Sequence, residues 1–338
     1  MFGNAYLGKT VLVTGCCGFK GSWLCRMLVL VGADVTGYSL LPPKESLFNM
    51  LFLEKHIRSI YADIRDYKKL SGILQKAQPE ILFHMAAQPL VKESYNRPRY
   101  TYEVNTMGTV NVLEACRDIP SLRSIVNVTT DKVYENNEDG RKFREYDKLC
   151  GSDPYSNSKS CSDIITTCYR QFFNNCGVSI ARSGNVIGGG DFAANRLVPD
   201  LVRALREGKP AVIRSPKSIR PYQHVLDCLY GYLLLAKKQY DKKFEGSYNF
   251  GPEEFAANMQ FVFMFYDTWK AGMVTTGENN QHEADVLKLD ITKAREILGF
   301  EPKFDIRKSI ELTVEWYKEY AHKGNTNIDN QIMEFINE

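Results

Sequence analysis

From residue 10 to residue 181 the chain alternates short, β-branched apolar runs with longer segments whose apolar residues recur at helical spacing. The runs 10–13, 34–38, 59–62, 81–84, 124–128 and 178–181 read as strands, and 20–31, 66–76, 98–117 and 154–175 as the helices between them. Near-continuous apolarity in strands that alternate with helices predicts an α/β fold with a Rossmann-type, doubly wound parallel sheet. After Arg182 the rhythm breaks. A Gly188-Gly189-Gly190 loop, a helix near 197–207, a strand near 211–213 and a helix near 225–238 predict a smaller, mixed α/β lobe. The mostly apolar 261–270 reads as a core-packed helix, and 293–298 and 306–320 as two more. YNFGP, near 248–252, reads as a strand returned to the main sheet. The expected division is a cofactor domain over 1–182, rejoined by segments near 218–252, a substrate lobe over 183–320, and a tail over 321–338 that starts polar and frays.

Composition narrows the classes of function. The 338 residues, 44% of them hydrophobic, suffice for one large core with a smaller one grafted on. Lys and Arg number 43 against 40 Asp and Glu, a net +3, which argues against a partner bound by phosphate neutralisation such as nucleic acid. Nine cysteines, an odd count without C-x-x-C pairs, predict a reduced cytoplasmic chain with no metal. The N-terminus has no basic segment followed by a long apolar one, so no signal peptide is expected. The longest apolar runs are too short to cross a bilayer, so no membrane partner is expected.

Between the first strand and the first helix stands Gly15-Cys16-Cys17-Gly18-Phe19-Lys20-Gly21. Glycines there permit a tight strand-to-helix turn and a close approach of backbone to a pyrophosphate, toward which the helix N-terminus directs its partial positive charge. Cys16 and Cys17 read as small apolar filling of that loop rather than a redox pair. Asp63-Ile64-Arg65-Asp66 follows the third strand, where Asp63 and Asp66 suit helix capping and Asp63 also suits the adenine edge of a dinucleotide. Met85-Ala86-Ala87-Gln88 ends the fourth strand, where small side chains let backbone lie against a ligand. An acidic residue is expected at the end of the second strand for the ribose hydroxyls, and Tyr38-Ser39 stands there instead. No arginine replaces it to receive a 2′-phosphate, which favours NAD over NADP.

Tyr155 and Lys159 lie four residues apart at the start of a helix, on one face. A cation beside a phenol lowers its pKa, so Tyr155 suits a base for a sugar hydroxyl. Y-x-x-x-K alone is a common chance pattern. It gains weight from Thr129-Thr130-Asp131-Lys132 at the carboxyl end of the fifth strand, where open α/β sheets bind ligands. There Thr130 suits a hydrogen bond to the reacting hydroxyl, Asp131 an acid and Lys132 a candidate base.

GKTVLVTGCCGFKGSWL, TGYSLLPP, HMAAQPLVKESY, NVTTDKVYEN, DPYSNSKSCSD, RSGNVIGGGD, RPYQHVLD, YNFGP and HEADVLKLD together resemble the extended short-chain dehydrogenase/reductase superfamily. The likeness runs over roughly residues 7–320 and lies within its NAD-dependent epimerase/dehydratase family. It is strongest toward the sugar-nucleotide 4,6-dehydratases that act on CDP-glucose. One departure is Cys16-Cys17, where the family's pattern has His-Thr. The residues assigned to NAD are Gly15, Gly18, Phe19, Lys20, Gly21, Tyr38, Asp63, Ile64, Ala86, Ala87, Gln88, Tyr155 and Lys159.

The resemblance implies a mechanism. Tyr155 takes the proton of the sugar 4-hydroxyl as hydride leaves C4 for NAD⁺. The 4-ketone acidifies the C5 proton, a base removes it, and Asp131 protonates the departing 6-hydroxyl. Hydride then returns to C6, giving a 4-keto-6-deoxy sugar for surface polysaccharides. Related dTDP- and GDP-sugar dehydratases carry Glu where Lys132 stands, and Lys132 serves either as the base, once deprotonated, or as a cation beside the enolate. The resemblance further assigns Asn185 and Arg220 to the sugar diphosphate, with Arg196 and His282 as weaker candidates, and implies a homodimer built on the helices near 98–117 and 154–175. Asn105 is assigned to the substrate side, on the site's floor, while His84 and His224 read as structural. Cytosine selectivity follows from the resemblance alone. The alternatives are a dTDP- or GDP-sugar dehydratase, a 4-epimerase, which needs no acid and base aimed at C5 and C6, or a dinucleotide-sensing protein without catalysis.

Overall fold

The computed structural model describes residues 2–277, 284–323 and 327–337. Its first half contains β1 (Thr10–Thr14), α1 (Phe19–Leu30), β2 (Asp34–Ser39), α2 (Leu47–Met50), β3 (Arg58–Tyr61), α3 (Tyr67–Ala77) and β4 (Ile81–His84). These are followed by α4 (Val91–Asn96), α5 (Pro98–Tyr102), α6 (Gly108–Cys116), β5 (Ser124–Val128), α7 (Pro154–Tyr169) and β6 (Gly177–Ser183). The second half begins with β7 (Val186–Ile187), α8 (Leu197–Glu207), β8 (Ala211–Ile213), β9 (Ile219–Arg220), β10 (Gln223–His224), α9 (Val225–Asp241) and β11 (Gly246–Phe250). It closes with β12 (Ala256–Ala257), α10 (Asn258–Trp269), β13 (Val274–Thr276), α11 (Thr292–Leu298), α12 (Ile306–Lys323) and α13 (Ile328–Asn337).

Seven strands form one parallel sheet in the order β11-β6-β5-β4-β1-β2-β3. The alternation of side chains along each strand divides the core into two layers. Val11, Val13, Phe83 and Val126 face α1 and α9. Leu12, Leu82, Ile125 and Val178 face α3, α6 and α7. Both faces are therefore dry, as a parallel sheet requires. Strand order reverses between β1 and β4, which opens the crevice above their carboxyl ends.

Short two-strand ribbons, β7 with β10, β9 with β12 and β8 with β13, build the lobe beside that crevice. The Gly188–Gly190 loop seats on Trp316: a Cβ at Gly189 would lie 2.0 Å from the indole, and Trp23 Nε1 donates to the Gly189 carbonyl at 2.9 Å.

Two expectations change. The helix anticipated over 98–117 is broken by a π-turn at Glu103–Met107, one of the single-turn bulges common at functional sites. The tail anticipated to fray forms α13 instead, which buries Ile328, Ile332 and Phe335. Those residues recur at helical spacing, and Phe335 packs on Phe304 at 5.3 Å between ring centroids. Among the described residues no helix is long and apolar enough to cross a membrane.

Candidate active site

A single cavity of about 600 Å³ runs along the carboxyl edge of the sheet and into the lobe. At one end it is lined by the glycine loop. Gly15, at φ +73°, lies so close to β4 that a Cβ would come within 2.8 Å of Ala86 N, and one at Gly21 would lie 2.1 Å from Gly15 O. Gly18 is the N-cap of α1, and no side chain caps that helix. The first turn, Phe19, Lys20 and Gly21, therefore presents uncapped N–H groups at the cavity wall. Thr14 Oγ1 accepts from Met85 N at 3.0 Å and Ala86 N at 3.1 Å, holding the 85–87 segment against the loop. Its hydroxyl also meets His84 Nδ1 at 2.8 Å, and burial pushes His84 down to about 3, so the ring is neutral.

Tyr38, Asp63, Ile64, Ala86 and Ala87 line the same end. Tyr38 stands where an acidic residue was expected, and its hydroxyl donates to the Asp63 carbonyl at 2.9 Å. The Asp63 carboxylate is held by the Arg65 guanidinium at 2.8 Å, which keeps it below its ordinary pKa. Asp66 caps α3 through Lys69 N. Gln88 and Asn105 require correction. Gln88 Oε1 accepts from Leu90 N at 2.6 Å and its Nε2 donates to Thr101 Oγ1 at 3.0 Å. Asn105 Oδ1 accepts from Gln88 N at 2.8 Å while its Nδ2 donates to Gln88 O and Ser158 Oγ. Neither side chain lines the cavity. Their polar atoms are consumed in fastening the β4 loop to α7, so both act as braces.

The candidate reacting groups Thr130, Asp131, Lys132, Tyr155 and Lys159 meet in the middle. Asp131 is 1% exposed; its Oδ1 accepts from Thr130 Oγ1 at 3.0 Å and lies 3.6 Å from Lys132 Nζ. Its Oδ2 is buried with no partner among the described residues, pressed on Gly184, where a Cβ would stand 1.9 Å away. An unpaired buried carboxylate oxygen at a cavity wall is costly unless a ligand hydroxyl or a proton satisfies it. Tyr155 and Lys159 project from the first turns of α7, which Asp153 caps through Ser156 N at 3.0 Å.

The expected depression of the phenol by Lys159 is not what the geometry yields. Burial pushes Tyr155 up to about 12, with Thr130 and Arg196 pulling back. Lys159 Nζ donates to the Val128 carbonyl at 2.9 Å. Burial, reinforced by the Lys20 charge, brings its amine down to about 7. Beneath this centre Arg182 grips Asp163 with two bonds of 2.7 Å and donates to Tyr134 at 2.8 Å, tying β6 to α7.

On the lobe side Asn185, at φ +35°, carries a buried Oδ1 without a partner among the described residues. Arg196 reaches the cavity while paired to Asp191 at 3.0 Å. Arg220 is buried at the wall and donates to the Ala284 carbonyl at 2.6 Å. His282 lies outside the described residues. Arg214, Tyr222 and Asn258 also line this end. Arg214 and Asn258 belong to no quoted motif, and Tyr222, within RPYQHVLD, received no role there; the short ribbons gather all three. Gly184 went unassigned too, since its importance lies in contact with a residue 53 positions away.

Comparison with known proteins gives the family and the fold. The chain is 42% identical over 330 residues to the CDP-glucose 4,6-dehydratase of Salmonella typhimurium, covering 93% of this chain and 92% of that one. The crystal structure of DesIV, a dTDP-glucose 4,6-dehydratase from Streptomyces venezuelae with NAD and TYD bound, superposes with a TM-score of 0.83 at 25% identity, over 93% of this chain and 98% of that one. A UDP-glucose-4-epimerase from Stenotrophomonas maltophila shares the fold at a TM-score of 0.84 and 20% identity, over 93% and 99% of the two chains. The model of the GDP-mannose 4,6 dehydratase family matches residues 12–313, and the chain belongs to that family.

Proposed function

We propose that this chain converts CDP-D-glucose to CDP-4-keto-6-deoxy-D-glucose and water, using NAD that it regenerates within each turnover. The observation that carries this reading is the Asp131 carboxylate, buried with one oxygen unpaired, beside Lys132 and in one cavity with Tyr155. An epimerase has no use for such an acid. The 42% identity to a CDP-glucose dehydratase supports the substrate.

The glycine cradle fits a dinucleotide: Gly15 and Gly21 leave no room for a Cβ, and the uncapped first turn of α1 suits its pyrophosphate. When bound, NAD⁺ supplies the hydride acceptor for C4, the donor for C6 and a positive ring. Thr130 orients the 4-hydroxyl and Tyr155 holds or takes its proton. At about 12 the phenol needs positive charge nearby to act as a base. Asp131 delivers a proton to the departing 6-hydroxyl. With the pair's shared proton on Asp131, Lys132 is the neutral amine that removes the C5 proton, 3.6 Å from the acid that works on the adjacent carbon, and returns it to C5 as hydride reaches C6. Asn185, Arg196 and Arg220 receive the nucleotide diphosphate, whose geometry suits guanidinium forks. In this reading the sheet with β11 forms the cofactor domain and the ribbons after β6 form the substrate lobe.

A homodimer joined through the segments near 98–117 and 154–175 is part of the same proposal, supported by the exposed apolar side chains of Met107, Ile164 and Phe172 in them; size-exclusion light scattering showing a monomer would exclude it. The function is tested by incubation with CDP-, dTDP-, GDP- and UDP-glucose, followed by the base-induced absorbance of a 4-keto sugar. Product from CDP-glucose is expected. Product only from another nucleotide would overturn the substrate, and none from any would overturn the enzyme.

A further inference from the structure

The lobe end of the cavity presents three guanidiniums, and two are engaged. Arg196 is paired to Asp191, and Arg220 donates to the carbonyls of Ile219 and Ala284. Arg214, directly after β8, is exposed to the cavity and has no hydrogen-bond or ion-pair partner among the described residues. Its backbone is nonetheless fixed. Asn258 Nδ2 donates to Ser215 O at 2.8 Å, Met259 N donates to Pro216 O at 3.0 Å, and β8 is paired along its length with β13. A guanidinium with open donors, carried on backbone that is held in place at the cavity wall, is available to a ligand.

Contacts place Arg214 relative to the reaction centre. Gly184 packs on the Asp131 carboxylate, and the next carbonyl, of Asn185, accepts from Gln223 N at 3.3 Å. Neighbouring Tyr222 donates to Asn258 Oδ1 at 2.6 Å, and Asn258 holds Ser215. The contacts thus run from the Asp131 carboxylate to Ser215, the residue that follows Arg214. A nucleotide sugar is linear: hexose, diphosphate, ribose, base. With the hexose at Asp131 and Tyr155, the base is the part that reaches this far into the lobe.

We infer that Arg214 reads the nucleotide base, its guanidinium fork selecting cytosine over uracil and thymine. The inference rests on the proposed nucleotide-sugar substrate. On its pairing edge cytosine offers two adjacent acceptors, O2 and N3, which two parallel N–H groups of a guanidinium satisfy together. Uracil and thymine carry a hydrogen on N3, so one N–H of the fork would face a donor. Adjacent acceptors are also what arginine reads on guanine, where a good bidentate pair gives about 10- to 100-fold discrimination.

The test is the ratio of kcat/KM for CDP-glucose to that for dTDP-glucose and UDP-glucose in wild type, Arg214→Ala and Arg214→Lys, with bound NAD measured in each to verify an intact cofactor site. Arg214→Ala is expected to lower the ratio about 10- to 100-fold, mostly through KM for CDP-glucose. Lysine keeps the charge and loses the fork, so it is expected to leave the ratio low. An equal loss with all three substrates, or restoration by lysine, would make Arg214 a phosphate contact and overturn the inference, as would an unchanged ratio. Those outcomes leave the dehydratase reading standing, because wild type still forms product. No product from wild type with any of the three would remove the dehydratase reading itself and the inference with it.

Discussion

Alanine at position 184 would place a methyl carbon 1.9 Å from Asp131 Oδ2 and 2.3 Å from its Cγ. The carboxylate has little room to yield, since it is 1% exposed and its other oxygen is bonded to Thr130. To regain ordinary contact at 3.4 Å the oxygen must retreat by about 1.5 Å. Displacement of a reacting group by about 1 Å costs on the order of 10²-fold in rate, so Gly184→Ala is expected to lower kcat by at least roughly that factor. Overpacking of this kind costs about 1–3 kcal/mol, within the usual stability of about 5–15 kcal/mol for a folded domain. The loss should fall on one step. Tyr155 stands on α7 and is not touched, so the reduced-nicotinamide absorbance should still rise in a single turnover while the 4-keto-6-deoxy product fails to form. Unchanged kcat, or loss of the absorbance rise together with product, would refute the assignment of Asp131 as the acid held in place by Gly184.

Other substitutions separate the remaining roles. Lys132→Met should abolish product while leaving the transient nicotinamide signal, and undiminished product release would remove Lys132 from the mechanism. Tyr155→Phe should abolish the transient itself, and full turnover would exclude the phenol. Asp163→Asn leaves the Arg182 guanidinium buried without its carboxylate, a loss of about 3–5 kcal/mol to be read from urea unfolding; a change near zero would show that the pair is dispensable.

The sheet was legible because a parallel strand buried on both faces is an apolar run whatever its surroundings, and because the helices between strands announce themselves by period. The dinucleotide loop was legible because its glycines are required by local backbone geometry. Side-chain allegiance was not. Asn105 and Gln88 lie near the site in sequence, yet each polar atom can be spent in several directions, and only the π-turn at 103–107 decides that Asn105 clasps Gln88 rather than a ligand. The phenol misled for a similar reason: i, i+4 spacing puts Lys159 on the Tyr155 face, but the ammonium turns to the Val128 carbonyl. The lobe was harder still. Strands of two or three residues carry no periodicity, so residues they gather, Arg214 among them, have no signature. The tail failed differently, because its polar start hid an Ile328, Ile332, Phe335 stripe that was there to be read.

The cavity also explains how a nearly neutral chain serves a polyanionic substrate. Beyond the desolvation of burial, the charge of Arg196 opposes protonation of Lys20, and that of Lys20 opposes protonation of Lys159. Lys159, at about 7, is held down first by burial and then by Lys20. In the unfolded chain it returns to the ordinary lysine value near 10.5. Between those limits the unfolded state binds the proton that the folded state has shed, so stability rises with pH. Below about 7 both states are protonated and the full penalty of burying the ammonium applies. The difference in unfolding free energy between wild type and Lys159→Met should therefore shift in favour of wild type as pH climbs from about 7 to 10. Lys20→Met removes one of the two depressing influences while Tyr232, the partner of Lys20, keeps its bond to Ser183. In that background the rise should begin at higher pH and be smaller. An identical profile in urea titrations of the two backgrounds would show that burial alone sets Lys159 and that the charges of the cavity are not coupled.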